Sequence, residues 1–82
     1  MTNVNVYGGS GGLLKVEQFA GSDFSGSDGD SNRTVTIGQS VTDVRVLVQG
    51  RVLHKTQEYT LSGATLTIIG ALYDSDIVDV WY

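Results

Sequence analysis

Gly8-Gly9-Ser10-Gly11-Gly12 fits the G-x-S-x-G pattern of a nucleophile elbow. That elbow needs a strand-to-helix turn in an α/β sheet, with His and acid partners, and 82 residues are too few to supply them. With four glycines the match is cheap, and a turn or hinge is the expected role. Asp28-Gly29-Asp30-Ser31-Asn32 resembles the start of a D-x-D-x-N calcium loop. The sixth position carries Arg33 where Gly is required, and the twelfth carries Gln39 where a bidentate Glu is required, so an EF-hand is excluded. A different oxygen-ligand site on Asp23, Asp28 and Asp30 is the remaining metal candidate, against a solvated loop as the favoured reading. His54 is the only histidine and has no partner at metal-ligand or dyad spacing. There is no Cys, hence no disulfide and no thiolate site. Asn32-Arg33-Thr34 is a formal glycosylation sequon, inert without secretion. The sequence therefore assigns no catalytic residue, no metal and no cofactor.

Three of the seven aromatics, Tyr73, Trp81 and Tyr82, lie in the last ten residues. Such side chains serve as interface anchors, as sugar-stacking platforms or as core. Adjacent residues of a strand point to opposite faces, so one of Trp81 and Tyr82 is expected to face outward. Tyr73, Trp81 and Tyr82 are the interface candidates.

The elements that would position these residues are strands. Val, Ile, Thr and the aromatics account for 30 residues, whereas Ala, Glu and Lys together supply seven. One small domain is the size limit, and a core this small gains from neighbouring chains, so a homo-oligomer is expected. The formal charge of −4 is concentrated at Asp23, Asp28 and Asp30 and at Asp74, Asp76 and Asp79. With no basic stripe to neutralise phosphates, nucleic acid is not an expected partner. Met1-Thr2-Asn3-Val4-Asn5 lacks the charged n-region and apolar core of a signal peptide. Residues 68–73, the longest near-apolar stretch, fall far short of the roughly 20 needed to span a bilayer, so no membrane association is expected.

Along the chain, residues 2–7 alternate with Val4 and Val6 on one face, the two-residue period of a half-buried strand. After the Gly-rich break, residues 13–19 read either as a second strand or as a short helical turn. Residues 20–32 are Gly, Ser and Asp with one aromatic, Phe24. Such a composition buries too little apolar area to offset ordering and predicts a long, mobile loop. From Arg33 the alternation is clearer. Residues 33–37 form one strand, and Val44, Val46 and Val48 make an apolar row. Gln49-Gly50 turns that row into a return strand over residues 51–54, with Gly50 supplying the positive φ. Residues 59–61 enter a second hairpin turned by Ser62-Gly63, and Leu66 and Ile68 share a face of the strand that leaves it. Residues 70–76 connect to a last strand with Val78, Val80 and Tyr82 on one side and Ile77, Asp79 and Trp81 on the other. Short strands with Gly turns at this spacing predict an all-β chain, a small antiparallel β-sandwich or barrel-like module. It is read as a single β-domain over residues 1–82. Residues 1–33 contribute the N-terminal strands and flexible loop, and residues 34–82 the hairpin-rich part.

The hairpin-rich part resembles a β-module of tailed-phage virion proteins. The residues that carry the resemblance are Thr34-Val35-Thr36-Ile37-Gly38-Gln39, Val44-Arg45-Val46-Leu47-Val48-Gln49-Gly50-Arg51-Val52-Leu53, Glu58-Tyr59-Thr60-Leu61-Ser62-Gly63-Ala64-Thr65-Leu66-Thr67-Ile68 and Asp76-Ile77-Val78-Asp79-Val80. Gln49 stands where the module usually has Asn, and Ser75 where it usually has Gly. These are mostly turn and core positions, and residues 1–33 have no counterpart. The resemblance implies a non-enzymatic structural component of a bacteriophage particle, located in the virion and bound to other capsid or tail proteins. Read as a complete chain from Met1, 82 residues are short for a fibre, which needs a shaft. A head-decoration (cement) protein or a neck or tail accessory protein fits that length better. The alternative expectation is a small carbohydrate-binding or receptor-binding module.

The shortage of helix formers sets the first expected result. Circular dichroism should show β-structure with little helix, and a helical content above about a third of the chain would contradict the fold assignment.

Overall fold

The computed structural model describes residues 15–82. The strand expected at residues 2–7, the Gly-rich break and the start of the 13–19 segment lie outside them. Seven strands follow: β1 (Val16–Ala20), β2 (Arg33–Thr36), β3 (Arg45–Val48), β4 (Arg51–Val52), β5 (Tyr59–Ser62), β6 (Thr65–Ile68) and β7 (Ile77–Trp81). They form two antiparallel sheets, of order β1-β7-β3-β4 and β2-β6-β5, packed as a small sandwich. Between hairpins the chain alternates sheets, so the buried faces of both are assembled from strands distant in sequence. β1, from the N-terminal part, pairs along its whole length with β7. The two parts distinguished by sequence thus share the same sheets.

The two-residue period decides what is buried. Val46, Val78 and Val80 are fully buried on the inner face of the four-stranded sheet, and Leu66 and Ile68 answer them from the other. Phe24, Ile37, Val44, Leu53, Tyr59, Leu72 and Tyr82 complete the core. The Tyr59 hydroxyl donates to the Val44 carbonyl at 3.0 Å. Burial, with Asp43 nearby, pushes the pKa of this phenol above its ordinary range.

Both hairpins carry two-residue loops. Gln49 (φ 53°) and Gly50 (φ 81°) are both left-handed, the pattern of a type I′ turn. Asn is usual at the first position, but Gln49 is long enough to reach the next strand. Its Oε1 accepts the Ile77 amide at 2.6 Å, while its own N–H donates to the Ile77 carbonyl at 2.8 Å. The second loop is Gly63-Ala64, because Ser62 pairs with Thr65. This is one residue later than the spacing predicts, since Gly63 (φ 62°) fits the first central position of a type II′ turn.

Of residues 20–32, Ala20 closes β1, Gly21–Asp23 form a short 3-10 turn and the rest form no regular element, and the mobility predicted from composition conflicts with their bonding. The amides of Gly21, Ser22, Gly29 and Asn32 donate to the carbonyls of Asp76, Asp74, Leu72 and Ile69, and Asp30 accepts the Leu72 amide. Phe24 is buried, edge-on to Phe19 at 6.0 Å between ring centroids. Arg33, 2% exposed, ties the two segments together. Its Nε donates to the Ser25 carbonyl (2.7 Å), Nη1 to Leu72 (2.8 Å) and Nη2 to Phe24 (3.3 Å), and Nη2 also contacts the Asp74 carboxylate at 3.0 Å. Gly21 permits the approach, since a Cβ there would lie 1.8 Å from the Tyr73 carbonyl oxygen. Little apolar area is buried by this segment, and hydrogen bonds to a buried cation offset the cost of ordering it.

Removing that guanidinium should be costly. Arg33→Ala should lower stability in urea unfolding by about 3 kcal/mol, because the Phe24, Ser25 and Leu72 carbonyls and the Asp74 carboxylate lose a charged donor and a buried side chain is removed. Asp74→Asn should cost much less, since the Asp74 side chain is half exposed and Arg33 keeps its carbonyl partners.

Candidate interaction surface

The outer face of the four-stranded sheet gathers residues that the alternation turns away from the core. Register aligns them in rows. Val16 lies beside Trp81 and Trp81 beside Arg45; Gln18, Asp79, Leu47 and Val52 form the next row; Ala20 and Ile77 form the third. Val16, Val52, Ile77 and Trp81 are between 38% and 51% exposed. Four of the five large hydrophobics exposed among the described residues thus share one face of one sheet. A hydrogen bond from Gln18 Nε2 to Asp79 Oδ1 (3.0 Å) crosses the middle of that face. Scattered single hydrophobics need no explanation, but several gathered on one sheet face that no described residue covers make it a candidate contact surface.

The three aromatic candidates have three different fates. Trp81 stands on this face, in the row of Val16. Tyr73 is exposed, but on the connection between β6 and β7, where its ring rests on Gly29; a Cβ there would lie 3.1 Å from the ring. Tyr82 is not available to a partner. It is buried at 9% exposure, and its hydroxyl donates to Glu17 Oε1 at 2.7 Å. The same oxygen accepts the Gly38 amide at 2.8 Å, and the Lys15 ammonium sits 5.3 Å from the Tyr82 ring centroid. The alternation placed Tyr82 correctly with Val78 and Val80, and its inward direction is what removes it from the surface. Sequence inspection of aromatics missed Val16, Leu47 and Val52 as companions of Trp81. Their common face depends on which strands become neighbours.

The remaining chemistry-bearing residues do not converge. Among the described residues, no three His, Cys, Asp or Glu side chains are placed to hold a metal ion. The acids of the loop are engaged with backbone instead. Asp23 accepts the Ala20 amide (2.9 Å), Asp28 the Asp74 amide (2.7 Å) and Asp30 the Ser27 amide (2.9 Å). These are turn-forming roles for Asp. His54 is exposed, and the G-x-S-x-G run lies outside the described residues. No helix among the described residues is long and apolar enough to cross a membrane.

A cleft of about 170 Å³ opens over Val48, Leu53, Ile68 and Leu72. It is smaller than the roughly 300 Å³ at which ligand pockets begin. At its rim Arg51 Nη1 donates to Glu58 Oε2 at 2.8 Å, and Glu58 Oε1 accepts the His54 amide. The Arg51 bond first, then that amide, hold the Glu58 carboxyl below its ordinary range. A carboxylate so depressed adds stability above its unfolded titration range and loses it as pH falls through its lowered folded value. Between about pH 5 and pH 3, wild-type stability should therefore fall more steeply than that of Glu58→Gln, as read by thermal unfolding.

No protein-family model, curated protein or solved structure matches this chain.

Proposed function

We propose that this chain is a non-enzymatic structural component of a bacteriophage particle. In the virion it binds other capsid or tail proteins as a head-decoration (cement) protein or a neck or tail accessory protein. The observation that carries the reading is the outer sheet face bearing Trp81, Val16, Val52 and Ile77, which no described residue covers. The resemblance of residues 34–82 to virion β-modules supplies the class of partner. Its two departures are compatible with the turns they occupy. Gln49 keeps the left-handed turn and gains the Ile77 amide, and Ser75 sits where no positive φ demands Gly.

Docking on this face is mainly apolar, with Trp81 as its anchor, because aromatic residues carry much of the energy of small interfaces. The acidic residues lie mostly on the loops and contribute only against a basic partner. Particle co-sedimentation tests the proposal. The folded chain should copurify with intact particles, and Trp81→Ala, with an unchanged circular dichroism spectrum, should bind them at least about 30-fold more weakly. Truncating Tyr82 is not an informative variant, since it removes a core residue. If the chain is absent from purified particles while soluble glycans bind it and quench Trp81 fluorescence, the carbohydrate-binding alternative takes its place.

A further inference from the structure

The outer face of the three-stranded sheet is made of hydroxyl residues alone. Leu66 and Ile68 turn inward on β6, so Thr65 and Thr67 turn outward. Register carries this direction to the neighbouring strands. Thr34 and Thr60 flank Thr67 in one row, and Thr36 and Ser62 flank Thr65 in the next. The three strands thus present Thr34-x-Thr36, Thr65-x-Thr67 and Thr60-x-Ser62 on one surface. Thr36, Thr60, Ser62 and Thr65 are exposed, and Thr34 and Thr67 are half-buried. The first row continues past β2. Ser25 Oγ lies 2.9 Å from Thr34 Oγ1 and accepts the Thr34 amide at 3.0 Å, while the Ser25 amide donates to the Thr34 carbonyl at 2.8 Å.

Strand propensity explains a Thr at an outward position, but not the exclusion of every other residue type. A face that meets only liquid water normally mixes charged side chains among its residues. Here all six positions are uncharged, although the chain has five basic and nine acidic side chains. Geometry makes the set a lattice. Neighbouring strands lie about 4.8 Å apart, and side chains on one face recur about every 6.7 Å along a strand. β-Branching restricts χ1, so each threonine presents its hydroxyl and methyl with little freedom to lose on binding. The base is rigid as well, since Leu66 is fully buried beneath it and Ser25 and Arg33 anchor β2 to the loop beside it.

We propose that this face binds the surface of an ice crystal. Its partner must meet hydroxyls and methyls at two fixed periods at once, and charge complementarity requires that it carry no charge. Dissolved sugars and ordinary protein surfaces have no such two-dimensional period. Crystalline water is uncharged and offers a donor or an acceptor at every lattice point. Tetrahedral hydrogen bonds of about 2.75 Å set its second-neighbour oxygens about 4.5 Å apart and its repeat along the hexagonal axis at about 7.3 Å. Each lies within about a tenth of the matching spacing of the sheet. Binding here is independent of the docking proposed for the outer face of the other sheet.

Uptake of the full chain into a slowly grown ice shell tests the assignment, with the shape of single crystals near their melting point as a second readout. The chain should concentrate in the ice while a non-binding protein of similar size stays in the liquid, and the crystals should grow faceted. Thr65→Lys places a cation on the central strand of the lattice. With an unchanged circular dichroism spectrum, it should lower uptake about tenfold. Thr60→Lys does the same from β5 and takes over if Thr65→Lys fails to fold. A wild-type chain left in the liquid, or a folded Lys variant that enters ice as the wild type does, overturns the proposal. If ice excludes the chain while crystalline cellulose retains it, the lattice serves a polysaccharide and the proposal falls.

Discussion

The Arg33 guanidinium holds together two of the loops that link the strands. One buried cation donates to three backbone carbonyls and a carboxylate, drawn from residues 24–25 and from residues 72–74. A charge this deeply buried is tolerable only when its hydrogen-bonding capacity is filled, and carbonyl dipoles supply most of that here. The strand geometry depends on the same contact. Arg33 begins β2, residues 20–32 lead into it from β1, and residues 69–76 lead out of β6 into β7. Fixing these two loops against each other fixes where the first and last strands can meet.

That meeting produces an asymmetric sheet. The inner face of β1-β7-β3-β4 is closed by the second sheet, whose order β2-β6-β5 carries Leu66 and Ile68 against Val46, Val78 and Val80. The second sheet covers only one side, so the residues that alternate outward along β7 remain exposed. Covering layers are the usual answer to an apolar sheet face. Where no described residue forms such a layer, the same alternation that builds the core also builds a surface patch.

Turn chemistry follows the same division between local and distant causes. At Gln49 the left-handed backbone would favour Asn, yet the Ile77 amide rewards the longer side chain. At Gly63 the demand is local, and Gly is present. The aspartates of the loop look like metal ligands in sequence because calcium loops and Asx turns use the same residue for the same reason, a short side-chain oxygen close to the backbone. Geometry separates the two. Here three of those aspartates each accept a backbone amide, and they do not converge.

The sequence by itself determined which residues of each strand point together. Alternation is a property of the pleat and needs no partner, so Val44, Val46 and Val48, Leu66 and Ile68, and the two faces of β7 were all legible. The shortage of helix formers likewise excluded a helical fold. Tertiary structure decided the rest. That β1 lies beside β7, and therefore that Val16 lies beside Trp81, depends on pairing between residues about sixty positions apart, which no local period encodes. The order of residues 20–32 was hidden for a related reason. Their composition reports the little apolar area they can bury, whereas they are held by a guanidinium and by carbonyls elsewhere in the chain. Tyr82 shows both halves of this division. Its side of the strand was readable from the alternation, but its loss as a contact residue followed only once Glu17 and Gly38 were brought around its hydroxyl.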